Sequence, residues 1–345
     1  MSAMSARPVV SVVVVTYNSA EDISRCLDSV GRQSYAPLEV LVIDNDSSDR
    51  TEDIVRNYEA SVRFVKNKSN IGFAAAHNQG IRLTAGELYL ALNPDIELTS
   101  DFIEELVNAM RVDPLVGSVT GKLLRFATVN GAHLIDSTGI YMTPSLRHLD
   151  RGAGQPDRGQ YDRLQYVFGA SGAAALYRRQ MLDALSIDGE YFDEDFFAYR
   201  EDADLAWRAQ LLGWKTLYTP RAVANHERRV LPERRSSLPA TINMHSVKNR
   251  FLLRIKNQTP LEFIVLLLPS LWRDLQVIGY VLLFERSSLP GLVFVVRNLP
   301  GVCSKRKWVM SRRTTTGRDM LRWFRKRPVA HDLEESQGSK PGSTI

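Results

Sequence analysis

Residues 8–18 read PVVSVVVVTYN, a nearly unbroken run of valines followed by three polar residues. The run is too short to cross a bilayer, and its lack of apolar–polar alternation predicts a parallel strand that is buried on both faces over residues 9–15. Ligands of parallel sheets bind beyond the carboxyl ends of the strands. Thr16, Tyr17 and Asn18, which follow the strand directly, are therefore the first candidates for a binding site.

Further apolar runs alternate with helical patterns along the first third of the chain. The runs occupy residues 38–43, 62–65 and 88–92, and the helical patterns lie at about 19–33, up to about 58, 73–84 and 100–112. This alternation predicts an α/β fold with a doubly wound, mostly parallel sheet. Asp44 follows the second strand and Asn93-Pro94-Asp95 follows the fourth, so these residues extend the candidate site along the same sheet edge.

Composition and missing motifs exclude several classes of protein. The chain has 345 residues, of which 44% are hydrophobic and 24% charged, which excludes a disordered or fibrous protein and suggests about two domains. Two cysteines, Cys26 and Cys303, cannot supply a disulfide framework or a cysteine-based zinc site. The sequence contains neither a glycine-rich dinucleotide turn after the first strand nor a Walker A motif, which disfavours NAD enzymes and P-loop ATPases. The N-terminal residues do not match a signal peptide, so we expect the body of the protein in the cytoplasm.

Charge is unevenly distributed along the chain. Residues 1–227 hold 22 Lys and Arg against 31 Asp and Glu, whereas residues 228–345 hold 22 against 8, which gives net charges of −9 and +14. Residues 303–327 alone contain ten Lys and Arg, interleaved with Trp308 and Trp323. A basic and aromatic segment suits an anionic membrane surface, and nucleic acid is the alternative partner.

Two strongly apolar stretches, 261–284 and 289–302, precede that basic segment. The first is long enough to span a bilayer, but Arg273 and Asp274 lie in its middle. Each such charge costs roughly 2.5–3.5 kcal/mol at the centre of a membrane helix. We therefore expect amphipathic helices that lie in the membrane interface or pack on the body.

The middle of the chain carries a second set of polar candidates. Residues 188–204 hold eight acids against one base, and a helical pattern over 200–212 begins with Glu201 and Asp202. His226 follows a further strand-like stretch. Two strands are expected nearby, a buried one with a glycine bend over 166–177 and another over 214–219. Flexible loops are expected over 144–162 and 227–240, and these would become ordered over a bound ligand.

Three of these side chains have a chemical interpretation and a plain alternative. Asp95 can ligate Mg²⁺ or Mn²⁺, which would bridge two phosphates of a ligand, or it can belong to an ordinary Pro-Asp turn. Asp202 can act as a general base, or it can be one acid of a solvated first helical turn. His226 can complete a metal site as a neutral imidazole, or it can be structural.

The order of the motifs is more specific than any single motif. Along the chain they are TYN, DND, NIGFAAAHNQG, NPD and FFAYREDADLAWRAQLLGW, followed by a downstream histidine. This order resembles glycosyltransferase family 2, the inverting enzymes of the GT-A fold, over about residues 8–257. Within the family, the sequence looks most like the bacterial rhamnosyltransferase-like branch that builds O-antigen and cell-wall glycans.

The resemblance implies a domain plan. A GT-A catalytic domain would cover residues 8–240, with a nucleotide-sugar half over 8–115 and an acceptor half over 116–240. Amphipathic, membrane-associating helices would occupy 241–302. A basic tail whose end is disordered would occupy 303–345.

The resemblance also implies roles for individual residues. The residues implied at the donor site are Thr16, Tyr17, Asn18, Asp44, Asn70, Gly72, Phe73, Asn78 and Asn93. Asp95 and His226 would hold Mg²⁺ or Mn²⁺. Asn93 stands where the family has the first acid of its metal motif, and an amide is a weaker ligand than a carboxylate. Asp202 would be the catalytic base, with Glu201 beside it.

The implied activity is transfer of a sugar, with rhamnose favoured, from a dTDP- or UDP-linked donor with inversion. The acceptor would be a glycan or a polyprenyl-diphosphate-linked sugar. The protein would lie peripherally on the cytoplasmic face of the cell membrane and serve cell-surface polysaccharide synthesis.

A nucleotidyltransferase is the first alternative function, disfavoured by the lack of a glycine-rich basic loop after the first strand. An inactive scaffold for glycan assembly is the second, disfavoured by the presence of Asp95, Asp202 and His226. Nucleic-acid binding by residues 303–327 is the third.

Overall fold

The computed structural model describes residues 4–58, 61–228 and 238–333. Strands and helices alternate in its first third. The strands are β1 Val10–Thr16, β2 Leu38–Asp44, β3 Arg63–Lys66, β4 Leu88–Leu92 and β5 Ile96–Leu98. The helices are α1 Ile23–Gly31, α2 Thr51–Arg56, α3 Phe73–Leu83 and α4 Phe102–Met110. The predicted α/β alternation is confirmed, and every strand and helix predicted here lies near its expected place.

The valine strand β1 lies inside the sheet, parallel to β2 on one side and to β4 on the other. Every residue of β1 is buried, because neighbouring strands cover its edges and helices cover both faces. β3 continues the parallel order beyond β2. Parallel strands buried on both faces are strongly apolar, which explains why this segment is almost entirely valine.

The second part of the chain extends this sheet with antiparallel and parallel strands and adds a separate two-stranded sheet. Its strands are β6 Val116–Val129, β7 Ala132–Ser137, β8 Ile140–Met142, β9 His148–Asp150, β10 Gln165–Val167, β11 Ala174–Arg178 and β12 Lys215–His226. Its helices are α5 Arg179–Leu185 and α6 Glu201–Leu211. β11 pairs antiparallel with both β4 and β6, and β12 runs parallel to β6. A hairpin turn at Asn130 and Gly131, both with positive φ, joins β6 to β7.

The loop expected over residues 144–162 is instead largely structured. β9 pairs with β8, and the backbone of Arg151 exchanges hydrogen bonds with Thr138 and Gly139. The Arg151 side chain is buried over the rings of Tyr161 and Tyr218. The glycines and charges of this segment therefore form tight turns and a buried cation–π contact, which composition alone does not distinguish from a mobile loop. Most of the second expected loop, residues 229–237, lies outside the described residues.

The C-terminal region is helical and packs on the sheet domain. Its elements are α7 Ala240–Asn257, α8 Pro260–Val265, α9 Leu267–Leu283, α10 Leu289–Arg297, α11 Leu299–Arg312, α12 Gly317–Leu321 and β13 His331–Asp332. The part of the predicted basic tail that is described folds back, because Met320 and Phe324 are buried in a core with Trp207 and β13 pairs with β10. Disorder was expected over residues 331–345, but His331–Asp332 form β13, and residues 334–345 lie outside the described ranges. The predicted domain boundaries stay predictions.

The apolar C-terminal stretches form several short helices. Within the described ranges, the length and hydropathy needed to cross a bilayer are not combined in any one helix. Together, Leu267–Leu283 and Arg286–Arg297 meet both requirements, but the pair is bent by 111°.

Candidate active site

The carboxyl ends of β1, β2 and β4 bring the predicted donor-binding residues to one edge of the sheet. Thr16 lies opposite Asp44 in the register of β1 and β2, and Val14 lies opposite Leu92 in that of β1 and β4. Asn93 therefore starts a loop beside the end of the first strand. The ends of these three strands therefore lie side by side, as the predicted site at this edge requires.

Thr16 and Asp44 form the buried floor of this edge. The Thr16 hydroxyl donates to Oδ1 of Asp44 at 2.9 Å, and the backbone N–H of Ser47 donates to Oδ2 of Asp44 at 2.9 Å. Both residues are completely buried. The carboxylate thus fixes the turn after β2, and its contact with a base or ribose stays a prediction.

Tyr17 and Asn18 lie above that floor. Asn18 has a φ of 51°, and its Oδ1 accepts from the backbone N–H of Ser48 at 2.8 Å. Its own N–H donates to Oγ of Ser47 at 2.8 Å. Asparagine tolerates this left-handed conformation well. The fixed turn leaves the ring of Tyr17 exposed at the sheet edge, where an aromatic face can stack on a flat base.

The turn before α3 is shaped by Asn70 and Gly72. The N–H of Gly72 donates to Oδ1 of Asn70 at 2.9 Å, and α3 begins at the next residue, Phe73. Gly72 has a φ of 87°, and a Cβ there would lie 2.6 Å from the ring of Phe197. Only glycine combines this conformation with so close an approach. Nδ2 of Asn45 donates to the Gly72 carbonyl at 3.2 Å, which ties the turn to the end of β2.

Asn78 lies deeper in α3 and is fully buried. Its Nδ2 donates to the Phe192 carbonyl at 2.7 Å and to Oε1 of Glu194 at 3.0 Å. Its Oδ1 accepts from the N–H groups of Tyr191 and Phe192 at 3.1 and 2.8 Å. In this structure the amide holds the acidic segment ahead of α6, and direct contact with a donor would require these bonds to break.

Asp95 and His226 meet at the same sheet edge. The end of β12 pairs antiparallel with β5, which sets His226 opposite Ile96. Nε2 of His226 lies 3.4 Å from Oδ1 of Asp95. That oxygen is buried and accepts no hydrogen bond from the described part of the chain. A buried oxygen without a partner, next to an imidazole nitrogen, is a fitting start for a divalent-cation site.

Asp136, at the end of β7, completes this arrangement and was missed by the sequence analysis. Its Oδ2 lies 2.7 Å from Nδ1 of His226. A carboxylate on Nδ1 places the proton there and leaves Nε2 facing Asp95. Arg125 and Arg228 each donate to Oδ1 of Asp136 at 3.2 Å. No local motif around Asp136 signals this role, because its partner His226 is 90 residues away.

The charges of this group bear on metal binding. Burial lowers the pKa of His226, but contacts with Asp136 and Asp95 outweigh burial and raise that pKa to about 9. Because a protonated imidazole cannot ligate a cation, metal uptake would release a proton. No cluster of three or more His, Cys, Asp or Glu suited to a cation occurs within residues 4–58, 61–228 and 238–333. Asp95 and His226 therefore fit Mg²⁺ or Mn²⁺ only together with diphosphate oxygens and water.

One short loop joins this group to the predicted base. The carbonyl of Ala173 accepts from the N–H of Asn93 at 2.8 Å, and the N–H of Gly172 donates to Oδ2 of Asp202 at 3.0 Å. Asn93 and Asp202 thus contact adjacent residues of the same loop. The side chain of Asn93 is half-buried, and its place in the donor site stays a prediction.

Glu201 and Asp202 open α6 in different environments. Burial raises the pKa of Glu201 well above its usual range, and the charge of Asp202 adds to this effect. Burial also raises the pKa of Asp202, while the hydrogen bond from Gly172 opposes it. A helix N-terminus alone favours ionised carboxylates, but burial dominates here. Burial thus favours the protonated form of both acids, more strongly for Glu201, and the role of Asp202 as the base stays a prediction.

The backbone just before these acids is strained and is held by α7. Phe197, Tyr199 and Arg200 have φ values of 65°, 70° and 75°, which bulky residues rarely adopt. Nδ2 of Asn249, a fully buried residue of α7, donates to three carbonyls of this loop. These belong to Phe196, Ala198 and Tyr199, at 2.9, 2.8 and 2.7 Å. The sequence analysis missed Asn249 because it assigned α7 to the membrane-associating region.

Comparison with known proteins gives a family for this site. The model of the family described as "Glycosyl transferase family 2" matches residues 11–186. The chain is 30% identical over 227 residues to an N-acetylglucosaminyltransferase of Rhizobium sp. (strain N33), covering 63% of this chain and 48% of that protein. It is 29% identical over 251 residues to the N-acetylglucosaminyl-diphospho-decaprenol L-rhamnosyltransferase of Mycobacterium tuberculosis (strain ATCC 25618 / H37Rv), covering 64% of this chain and 76% of that protein. The chain spans about half the length of several curated relatives, the Rhizobium protein among them.

Comparison of folds agrees with the sequence matches. The crystal structure of GalNAc-T7 with UDP, GalNAc and Mn²⁺ aligns with a TM-score of 0.56 at 15% identity, covering 73% of this chain and 48% of that chain. Likeness at this identity concerns the fold alone. The predicted α/β, GT-A-type architecture with C-terminal helices is confirmed.

Proposed function

The chain belongs to glycosyltransferase family 2, and on that premise we propose that it transfers a sugar from a nucleotide-diphosphate donor to a glycan or polyprenyl-linked acceptor. The observation that carries the proposal is the convergence of Asp95, His226 and Asp202 at the carboxyl edge of the sheet, linked through the loop at residues 172–173. Relatives named as a poly-beta-1,6-N-acetyl-D-glucosamine synthase and as an amylovoran biosynthesis glycosyltransferase support a role in cell-surface glycan assembly.

The proposed reaction uses the chain's residues as follows. Asp202 accepts the proton of the acceptor hydroxyl as that oxygen bonds to the anomeric carbon, and the nucleoside diphosphate leaves from the opposite face. One displacement inverts the anomeric centre without a covalent intermediate. Asp95 and His226 would hold Mg²⁺ or Mn²⁺, whose chemistry is to neutralise charge on the diphosphate. Asp136 keeps the His226 ring oriented.

The identity of the donor sugar is the finer part of the proposal. Rhamnose from a dTDP-linked donor is favoured by the resemblance to the rhamnosyltransferase-like branch and by the mycobacterial relative. Relatives named as N-acetylglucosaminyltransferases favour a UDP-linked donor instead. Binding of dTDP and UDP therefore separates the two donors.

We further propose that the protein acts peripherally at the cytoplasmic face of the membrane, because α9 turns its apolar side outward. Leu268 and Trp272 are 79% and 66% exposed, whereas Ser270 and Asp274 of the same helix are buried. Asp274 accepts from Arg250 at 2.9 Å and also pairs with Arg254, so its negative charge is neutralised within the protein. An outward apolar stripe next to a basic region suits the surface of an anionic bilayer.

The experiment that tests the transfer proposal combines nucleotide binding with transfer. We expect calorimetric titration to show Mn²⁺-dependent binding of dTDP or UDP that Asp95→Ala abolishes. Asp202→Asn should bind the same nucleotide with unchanged affinity and lose transfer by at least about 100-fold, the usual scale of general-base catalysis. The matched control is Asp183→Asn, which neutralises an exposed carboxylate on α5 and should change neither quantity.

Two results would contradict the proposal. Near-normal transfer by Asp202→Asn would remove the assigned base. Absence of nucleotide binding by the wild-type chain, with and without Mn²⁺ and vesicles, would favour a scaffold that has lost catalysis.

A further inference from the structure

A cavity of about 450 Å³ opens among the C-terminal helices, away from the candidate active site. It is bordered by the second half of α7 and by α8, α9 and α11. Its lining residues are Phe251, Arg254, Ile255, Gln258, Pro260, Phe263, Ile264, Asp274 and Arg306. None of them belongs to the donor, metal or base residues described above. The volume is in the range of ordinary small-molecule sites.

Two buried donors in the wall of this cavity lack acceptors. Gln258 is only 5% exposed, and its Nε2 makes no hydrogen bond within the described ranges. The same holds for Nε of Arg254. Buried donors without partners cost free energy unless a ligand or water satisfies them. Acceptor oxygens of a ligand bound in the cavity would satisfy them after a small side-chain adjustment.

The charges around the cavity favour an anion. Arg250 and Arg254 share a single carboxylate, that of Asp274. Arg306 donates one N–H to the Ile255 carbonyl at 2.9 Å and contributes a third guanidinium. The nearby carboxyl of Glu262 is engaged in the capping box at Thr259. Arg254 and Arg306 line the cavity, whereas Arg250 lies outside the lining and helps to neutralise Asp274. The two lining guanidiniums outnumber the one lining carboxylate, and guanidinium groups bind phosphate oxygens well.

Part of the cavity lining is apolar and reaches the outer surface. Phe263 and Ile264 belong to it and are also 51% and 70% exposed. They continue along the chain into the exposed apolar stripe of α9. A bound molecule would therefore have an anionic head at the arginines and an apolar part along this stripe.

We propose that this cavity binds the phosphate head of a membrane amphiphile. Arg254, Gln258 and Arg306 donate to the phosphate oxygens, while Phe263 and Ile264 contact the start of the apolar chain. The inference rests on the membrane-facing surface of the proposed function, but not on the transfer reaction. A free phosphate ion shares the head-group chemistry and is the source that the test must separate.

The test is calorimetric titration of the full chain with dihexanoyl phosphatidic acid below its micellar concentration. Inorganic phosphate and dihexanoyl phosphatidylcholine are titrated in parallel. We expect the phosphatidic acid to bind more tightly than either by about tenfold or more, since it alone satisfies both ends of the cavity. Arg306→Gln and Gln258→Met should each weaken it by about tenfold, the scale of one hydrogen bond to a charged group. Lys307→Gln, the same charge change at the exposed neighbouring position, should stay within about twofold.

Three results would overturn the proposal. Equal binding of inorganic phosphate would mean that a free anion suffices, and equal binding of the phosphatidylcholine would mean that only apolar contact matters. Unchanged affinity in both Arg306→Gln and Gln258→Met, with thermal unfolding like that of the wild type, would place the lipid elsewhere. Titration of the same samples with UDP and dTDP distinguishes failure of the amphiphile proposal from failure of the transfer proposal. If the wild-type chain binds neither nucleotide, the transfer proposal is contradicted, but the result for the amphiphile is unaffected.

Discussion

Asp136 and His226 form a buried pair whose contribution to stability depends on pH. His226 and Arg228 outweigh the effect of burial on Asp136 and lower its pKa from 3.8 to about 2, whereas the pKa of His226 rises from 6.5 to about 9. A lowered acid pKa stabilises the fold above the unfolded value, and this contribution is lost as pH falls through 2. A raised histidine pKa stabilises the fold below 6.5, and this contribution is lost as pH rises through 9. Both contributions are complete only between about pH 4 and 6.5.

We therefore predict that Asp136→Asn lowers the free energy of unfolding most between about pH 4 and 6.5, by about 2 kcal/mol or more. The difference from the wild type should shrink at pH values near 2 and 9. Urea unfolding in the presence of a chelator, with Asp183→Asn as the control, measures it. A difference that is the same at pH 5.5 and pH 9 would show that the pair is not coupled by charge.

Individual site residues could be predicted from the sequence where they directly follow a predicted strand. Thr16, Asp44 and Asp95 each follow an apolar run, so the fold itself sets them at one edge. Asp136 and Asn249 had no such local sign, because their partners come from distant parts of the chain. Asn78 illustrates a further limit, since a polar residue in a motif can serve an internal contact.

At the scale of elements, α7 supports the strained loop that leads into α6. Asn249 donates to its carbonyls, and the ring of His245 stacks on Phe197 with centroids 4.7 Å apart. A left-handed backbone at bulky residues persists only when the surroundings hold it. The position of Asp202 therefore depends on a helix outside the sheet domain.

We predict that Asn249→Ala lowers the rate of transfer about tenfold or more while donor affinity stays within about twofold, because misplacing the base affects mainly the chemical step. Leaving buried carbonyls without donors should also lower the free energy of unfolding by about 1–3 kcal/mol. Transfer kinetics and nucleotide calorimetry separate the two quantities. Thr241→Ala, at an exposed position of α7, is the control. Equal loss in donor affinity and rate would argue against a positioning role.

α9 shows what the sequence left undetermined at the level of an element, and why. Its length and apolar content were evident from sequence, but Arg273 and Asp274 concealed which side faces outward. The structure turns Asp274 inward to arginines of α7, so two of the three buried residues of α9, Ser270 and Asp274, are polar, and large apolar side chains are exposed. A helix with a charged residue on its buried side requires opposite charges from another element, here the arginines of α7.

We predict that the double substitution Leu268→Ser with Trp272→Ser reduces vesicle binding by at least about tenfold, since each large apolar side chain contributes roughly 1.5–3 kcal/mol when buried. Thermal unfolding should be unchanged, because both side chains are exposed. Co-sedimentation with vesicles measures binding, and Val129→Ser, at an exposed apolar position of the β6–β7 hairpin, is the control. Unaltered binding would relocate the membrane contact to another helix.

For the whole molecule, the C-terminal helices are joined to the catalytic body by charge as well as by packing. Lys305 of α11 contacts Glu190, Asp193 and Asp195 at 3.1, 2.6 and 2.9 Å. Lys256 of α7 is buried against Asp193 and Asp204. Removing residues 303–345 would take Lys305 away from Glu190, Asp193 and Asp195 and expose the core around Phe324. Truncation would thus report on folding, and point substitutions are needed to test membrane contact.

The uneven charge of the molecule leads to the last prediction. Since the C-terminal part carries +14 and an apolar stripe, binding to vesicles should have an electrostatic and an apolar component. Binding to phosphatidylglycerol vesicles should exceed binding to phosphatidylcholine vesicles, and raising NaCl from about 0.05 to about 0.5 M should reduce it to the phosphatidylcholine level. Residual binding at high salt should disappear with the Leu268 and Trp272 substitutions. Duplex DNA that binds as tightly as anionic vesicles, and loses affinity entirely with salt, would instead favour a nucleic-acid partner for the basic region.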